Sequence, residues 1–123
     1  MIKFILDPKT GIPFYRQIID QIKFGIAAGN LLVGEQLPTV RAMAVELKVN
    51  LNTVAKAYKE LEIQKILETQ QGTGTFIGSN ENTLFEAERT QKLKNIIRDF
   101  TTITLSYGFT IEEIIDELKN QIK

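Results

Sequence analysis

The chain has no cysteine, no histidine and no tryptophan among its 123 residues. Without cysteine there is no disulfide frame and no thiolate to act as nucleophile or metal ligand. Without histidine the commonest general base and the commonest zinc ligand are missing too. Carboxylates and lysines remain, but none falls into a catalytic or metal-binding spacing. No catalytic residue, no metal site and no cofactor is therefore expected, and the chain is read as not an enzyme. No apolar run approaches the ~20 residues of a membrane span. The opening MIKFILDPKTG is apolar only briefly before Asp7 and Pro8, short of the ~7–15 apolar residues of an export signal. A membrane partner is not expected, and the cytoplasm is the default location. An excess of charge of one sign is also missing, since 15 basic residues balance 15 acidic ones. That balance argues mildly against a nucleic-acid partner, because such proteins are often basic. The distribution is slightly uneven: residues 1–78 carry nine Lys/Arg and seven Asp/Glu, and residues 79–123 carry six and eight.

What is present is an ordinary globular composition, 43% hydrophobic and 24% charged. A core at this length is modest, so association with a second copy would add useful burial. Residues 2–6, IKFIL, read as a short strand that ends at Asp7-Pro8. Tyr15, Ile18, Ile19, Ile22 and Ile26 recur at helical spacing, and Gly29-Asn30 is a stop signal. A first helix is expected over 13–28. LLVGEQLP then reads as a loop. Thr39 is placed to cap a second helix running to Leu47, with Val40, Met43, Ala44 and Leu47 facing inward. Asn50 is placed to cap a third helix over 51–64, with Val54, Ala57, Tyr58 and Leu61 inward. Two short β-prone runs, 66–69 and 75–77, flank Gln-Gln-Gly-Thr-Gly and read as a hairpin. The polar stretch GSNENT, 78–83, marks a boundary. Two more helices follow, over 84–107 and 111–122, the second opened by Thr110-x-x-Glu113 at capping-box spacing.

Helix, helix, tight turn, helix, hairpin is an order with a meaning. The short connection at 47–50 suits a helix-turn-helix, and the hairpin after it suits a wing. The B-DNA major groove admits a helix, and its base edges are distinguishable there. Asn52, Thr53 and Lys56 lie on the outward face near the N-terminus of the third helix. Asparagine pairs with adenine, threonine touches phosphate or a thymine methyl, and lysine reaches guanine or phosphate. Lys59 lies one turn further on, and Arg41 in the preceding helix suits the DNA backbone. The tip Gln71, Gly72 and Thr73 is small and polar, fit for a minor groove. Plainer roles compete for each residue. Asn50 reads equally as a cap or as part of a phosphate site at the helix N-terminus. Lys56 and Lys59 read also as solvated charges. The Gly72–Gly74 pair reads also as simple hairpin closure, and Arg41 as a partner of Glu35 or Glu46.

Four ordered segments carry a resemblance. GEQLPTVR (34–41) resembles the G-x-x-L-P-S-x-R signature of the GntR family of transcriptional regulators. VNLNTVAKAYKELE (49–62) resembles the corresponding segment of its YtrA-like branch. GTGTFI (72–77) is similar to the family wing, and PFYRQIIDQI (13–22) to its opening helix. The resemblance implies a mainly α fold with a small β-hairpin. A winged helix-turn-helix (1–78) would be followed by a C-terminal two-helix dimerisation tail (79–123). It implies a homodimer bound to double-stranded DNA at an inverted-repeat operator, acting as a repressor. Some positions depart from the pattern. Leu51 and Ala55 are apolar where many relatives carry basic residues, Lys65 stands where glycine is usual, and Thr39 replaces serine.

The tail supplies the expected dimer interface: Leu93, Ile96, Ile97, Phe100 and Ile103 on one helix, and Ile111, Ile114, Ile115 and Leu118 on the next. Two lone helices exposing such stripes would associate; the other arrangement packs both stripes back onto the first module. Two alternatives to the plain regulator remain. One is a winged helix used for protein–protein contact. The other is DNA binding switched by a small-molecule effector at the dimer interface, for which the residues give no direct support.

Overall fold

The computed structural model describes residues 2–79 and 83–122. Helix α1 (Phe14–Ala27) buries Ile18, Ile19, Ile22 and Ile26 on one side, as their spacing requires. Helix α2 (Val40–Leu47) starts at Thr39, whose hydroxyl accepts the Ala42 N–H at 3.0 Å. Helix α3 (Leu51–Ile63) starts at Asn50, whose Oδ1 accepts the Asn52 N–H at 2.8 Å. Each cap satisfies a backbone donor that has no partner within its helix. α3 packs on both α1 and α2. Val54, Ala57, Tyr58 and Leu61 form its buried side, so the inward residues of all three helices meet in one core.

Strands β2 (Leu67–Gln70) and β3 (Gly74–Ile77) form the expected hairpin, with Thr69 opposite Thr75. The loop between them turns on Gly72, whose φ of 79° is cheap for glycine alone. β3 also pairs with a third strand that the sequence did not announce. Gln36–Leu37 (β1) lies antiparallel to it, giving the order β1-β3-β2. The stretch read as pure loop therefore returns to the sheet. The Gly34 N–H donates to the Ile77 carbonyl, the Ile77 N–H to the Glu35 carbonyl, and Leu37 is buried.

The N-terminal expectation fails in the opposite way. Residues 2–6 alternate half-buried and exposed as a strand would, yet they pair with no strand among the described residues. The backbone groups of Ile5 go to a helix side chain instead. The Ile5 N–H donates to Gln21 Oε1 and the Gln21 amide donates to the Ile5 carbonyl. Gln17 repeats the device, accepting the Asp7 N–H and donating to the carbonyls of Asp7 and Ile12. Two glutamines on α1 thus stand in for a neighbouring strand, and the backbone groups they serve do not go unmade.

The expected boundary at 78–83 falls partly on residues outside those described. Beyond it, α4 (Thr83–Ser106) and α5 (Ile111–Gln121) follow, and Thr110 and Glu113 form a complete capping box. The chain divides into two compact units, Met1–Ala87 and Glu88–Lys123. Phe85 is buried in the core of the first, so the first turns of α4 belong to that unit. The second unit has no buried residue among those described.

Candidate nucleic-acid interface

The turn between α2 and α3 sets the geometry. Lys48 takes the left-handed conformation, φ 58°, and the N–H of Val49 closes back on the Ala44 carbonyl. Only Val49 and Asn50 then remain before α3 begins. Tyr58, 2% exposed, donates from its hydroxyl to the Pro38 carbonyl at 2.7 Å and ties α3 to the segment before α2. Burial of the ring and hydroxyl pushes its phenol well above the ordinary value, so it stays protonated. Tyr58 is therefore a packing residue, as its core spacing suggested.

The opposite side of α3 is open. Asn52, Lys56 and Lys59 are exposed and Thr53 is half-buried. Asn52 and Lys56 are one turn apart, about 6 Å along the axis, and Lys59 lies a further ~4–5 Å on. The side chains of Asn52 and Lys59 have no hydrogen bond or ion pair among the described residues. Arg41, in the first turn of α2, is likewise exposed and pairs with neither Glu35 nor Glu46. Asn50 does cap α3 through its Oδ1, which leaves its Nδ2 group without a protein acceptor. Lys56 is not an isolated solvated charge: its Nζ lies 3.9 Å from the centroid of the Tyr15 ring on α1. Leu51, at the first position of α3, is also exposed, and Ala55 is half-buried on the same side.

The hairpin tip, Gln71, Gly72 and Thr73, is exposed. Residues absent from the sequence reading hold it in place. The Gln36 side-chain amide donates to the Thr73 carbonyl at 3.1 Å. The Thr69 hydroxyl donates to Glu62 on the last turn of α3 at 2.8 Å and lies 3.3 Å from the Thr75 hydroxyl. Gly78 closes the base, since a Cβ there would sit 2.7 Å from the Lys65 carbonyl oxygen. No periodicity marks Gln36, Glu62 or Thr69 as positioning residues, because each acts between elements that are far apart in sequence or differ in type.

In the second unit the predicted interface residues sit where a partner can reach them. Leu93, Ile96, Ile97, Phe100 and Ile103 are exposed on α4, and Ile111, Ile115 and Leu118 on α5, with Ile114 half-buried. Phe100, Phe109, Ile114 and Leu118 line an open cleft of about 400 Å³. Among the described residues no group of acidic side chains is arranged to hold a metal.

A helix-turn-helix backed by a three-stranded sheet, with a hairpin wing, defines the winged-helix class of regulators. The profile of the gntR family of bacterial regulatory proteins matches residues 14–77, and the chain belongs to that family. It is therefore a transcriptional regulator and not an enzyme. It is 44% identical over 98 residues to the HTH-type transcriptional repressor YtrA of Bacillus subtilis, an alignment covering 76% of this chain and 75% of that one. Among solved structures it resembles the GntR-family transcription factor YtrA of Sulfolobus acidocaldarius. The TM-score is 0.60 at 30% identity, over 84% of this chain and 97% of that one. It also resembles the DNA-binding domain of AraR in complex with operator ORE1, with a TM-score of 0.52 at 28% identity, over 63% of this chain and 95% of that one.

Proposed function

We propose that two copies of the chain bind an inverted-repeat operator in double-stranded DNA and repress transcription from it. α3 enters the major groove of each half-site and the wing lies along the neighbouring minor groove. The observation that carries this reading is the division of α3. One side is fully buried, while on the other Asn52, Lys56 and Lys59 form no ion pair among the described residues. Base contacts fall to Asn52, Thr53 and Lys56. Arg41, Asn50, Lys59 and the tip Gln71, Gly72 and Thr73 contact the sugar-phosphate backbone. Half-sites then lie ~10 bp apart centre to centre, or a multiple of that. The AraR domain seated on its operator supports the same use of the fold. A regulator of this kind works where the chromosome is, in the cytoplasm. No helix among the described residues is long and apolar enough to cross a membrane.

The homodimer is held through the tail. Its exposed apolar residues recur at helical spacing on α4 and α5, and the cleft beside Phe100 suits apolar side chains of a second copy. We read this cleft as an interface between copies rather than an effector pocket, because it is open and mainly apolar.

The test is fluorescence anisotropy on the chain's own promoter region across a salt series. Selective binding that weakens steeply with salt is expected, since each neutralised phosphate releases counterions. Lys56→Ala is expected to weaken binding with no loss of melting temperature. Absence of selective binding at low salt would sink the reading and favour a protein partner for α3.

A further inference from the structure

The cation nearest the centre of the α3 surface is held from another helix. Lys56 Nζ stands 3.9 Å from the centroid of Tyr15, in the first turn of α1. The Tyr15 ring is half-buried and packed against the core, so it is a fixed platform. Lysine is otherwise a flexible four-carbon stem that loses much rotamer freedom when it is fixed at an interface. A ring differs from a carboxylate as a partner. It attracts the ammonium through its quadrupole but leaves the net charge intact and takes none of the three N–H donors. Lys56 is thus ordered in advance without being neutralised. An acidic residue in place of Tyr15 would order it and cancel it.

We infer that Tyr15 is a positioning residue for DNA binding: its ring pre-orders the Lys56 ammonium toward an acceptor on DNA, a phosphate oxygen or the O6/N7 edge of guanine. This rests on the DNA-binding reading of α3. It also extends the functional surface to α1, on which the reading of the sequence named no DNA-contacting residue. The Tyr15 hydroxyl has no protein partner among the described residues, so the ring and the hydroxyl are separable by substitution.

Two measurements test the role. In ¹H–¹³C spectra of the DNA-free protein, the Lys56 ε-methylene is expected to be shifted upfield by the ring. The shift should persist in Tyr15→Phe and vanish in Tyr15→Leu. In anisotropy titrations on promoter DNA, Tyr15→Phe is expected to bind as the parent does. Tyr15→Leu is expected to bind about two- to fivefold more weakly, the equilibrium factor of an exposed cation–π contact. Tyr15→Leu/Lys56→Ala should be no weaker than Lys56→Ala alone, because the ring acts only through the lysine. A salt slope reduced by about one in Lys56→Ala assigns the acceptor as phosphate; relaxed preference at one base pair assigns it as guanine. Additive losses, an unaffected Tyr15→Leu, or an unshifted methylene would each overturn the role while leaving DNA binding intact. If the parent chain binds no DNA selectively, the reading of α3 falls and the positioning role falls with it.

Discussion

The two units of the chain solve the problem of apolar surface in opposite ways. In Met1–Ala87 the isoleucines of α1 are closed off against α3 in a shared core; Ile18, Ile19 and Ile22 are 0% exposed. In Glu88–Lys123 residues of the same kind, at the same helical spacing, stay in solvent; Phe100 is 42% exposed and Ile103 60%. Periodicity alone does not separate these cases. What separates them is the presence of elements to pack against. The first unit has three helices and a sheet, and two helices alone leave the second without an interior. An amphipathic stripe therefore marks the face a helix can bury, not whether its own chain supplies the element that buries it.

The comparison can be broken from either side. The largest effect is expected at the closed core. Ile22→Ala removes a fully buried side chain and should cost about 2–5 kcal/mol in chemical denaturation, independent of protein concentration. Phe100→Asp should do the converse, leaving the first unit folded and abolishing association. Sedimentation should give a monomer at micromolar concentration, and a dimeric mutant would remove Phe100 from the interface. A smaller effect belongs to Tyr58→Phe, which leaves the Pro38 carbonyl without its donor and should cost about 1 kcal/mol. Tyr58 also sharpens the contrast with pH. Its folded-state pKa is raised, so the folded state holds the proton more tightly than the unfolded chain does. The stability it contributes is complete below the unfolded value near 10 and is lost as pH rises beyond that. Alkaline titration should thus destabilise the parent more than Tyr58→Phe, and identical alkaline profiles would refute it. Smallest is Lys65→Gly. Lys65 holds φ 62° after α3, where glycine pays no Cβ penalty. A gain of about 0.5–1 kcal/mol is expected in the melting of the first unit, without any change in association.

Much of the fold was legible because its signals are local. Thr39, Asn50 and Thr110 were readable as caps because capping is a contact across two or three residues. The buried sides of α1 and α3 were readable from a period of 3.6. The outward set Arg41, Asn52, Lys56 and Lys59 followed by subtraction, and all four are exposed. The misread segments depended on distant partners. Residues 2–6 have the alternation of a strand, but among them Ile5 bonds to Gln21 on α1 instead of to a sheet edge. Gln36–Leu37 has no strand signature, yet it becomes one because β3 offers it a free edge.

The sequence by itself determined the order of the helices and the hairpin, the caps, the inward and outward sides of α1, α2 and α3 and the family signature, since all of these are written in residues a few positions apart. Only the tertiary structure decided which elements share a sheet, that Gln36 and Glu62 steady the wing, and that Tyr15 on α1 holds the lysine of α3. Those pairings join residues up to 41 positions apart. No local rule of spacing reaches that far; the distance between such groups is fixed only when the core closes and sets the helices against one another.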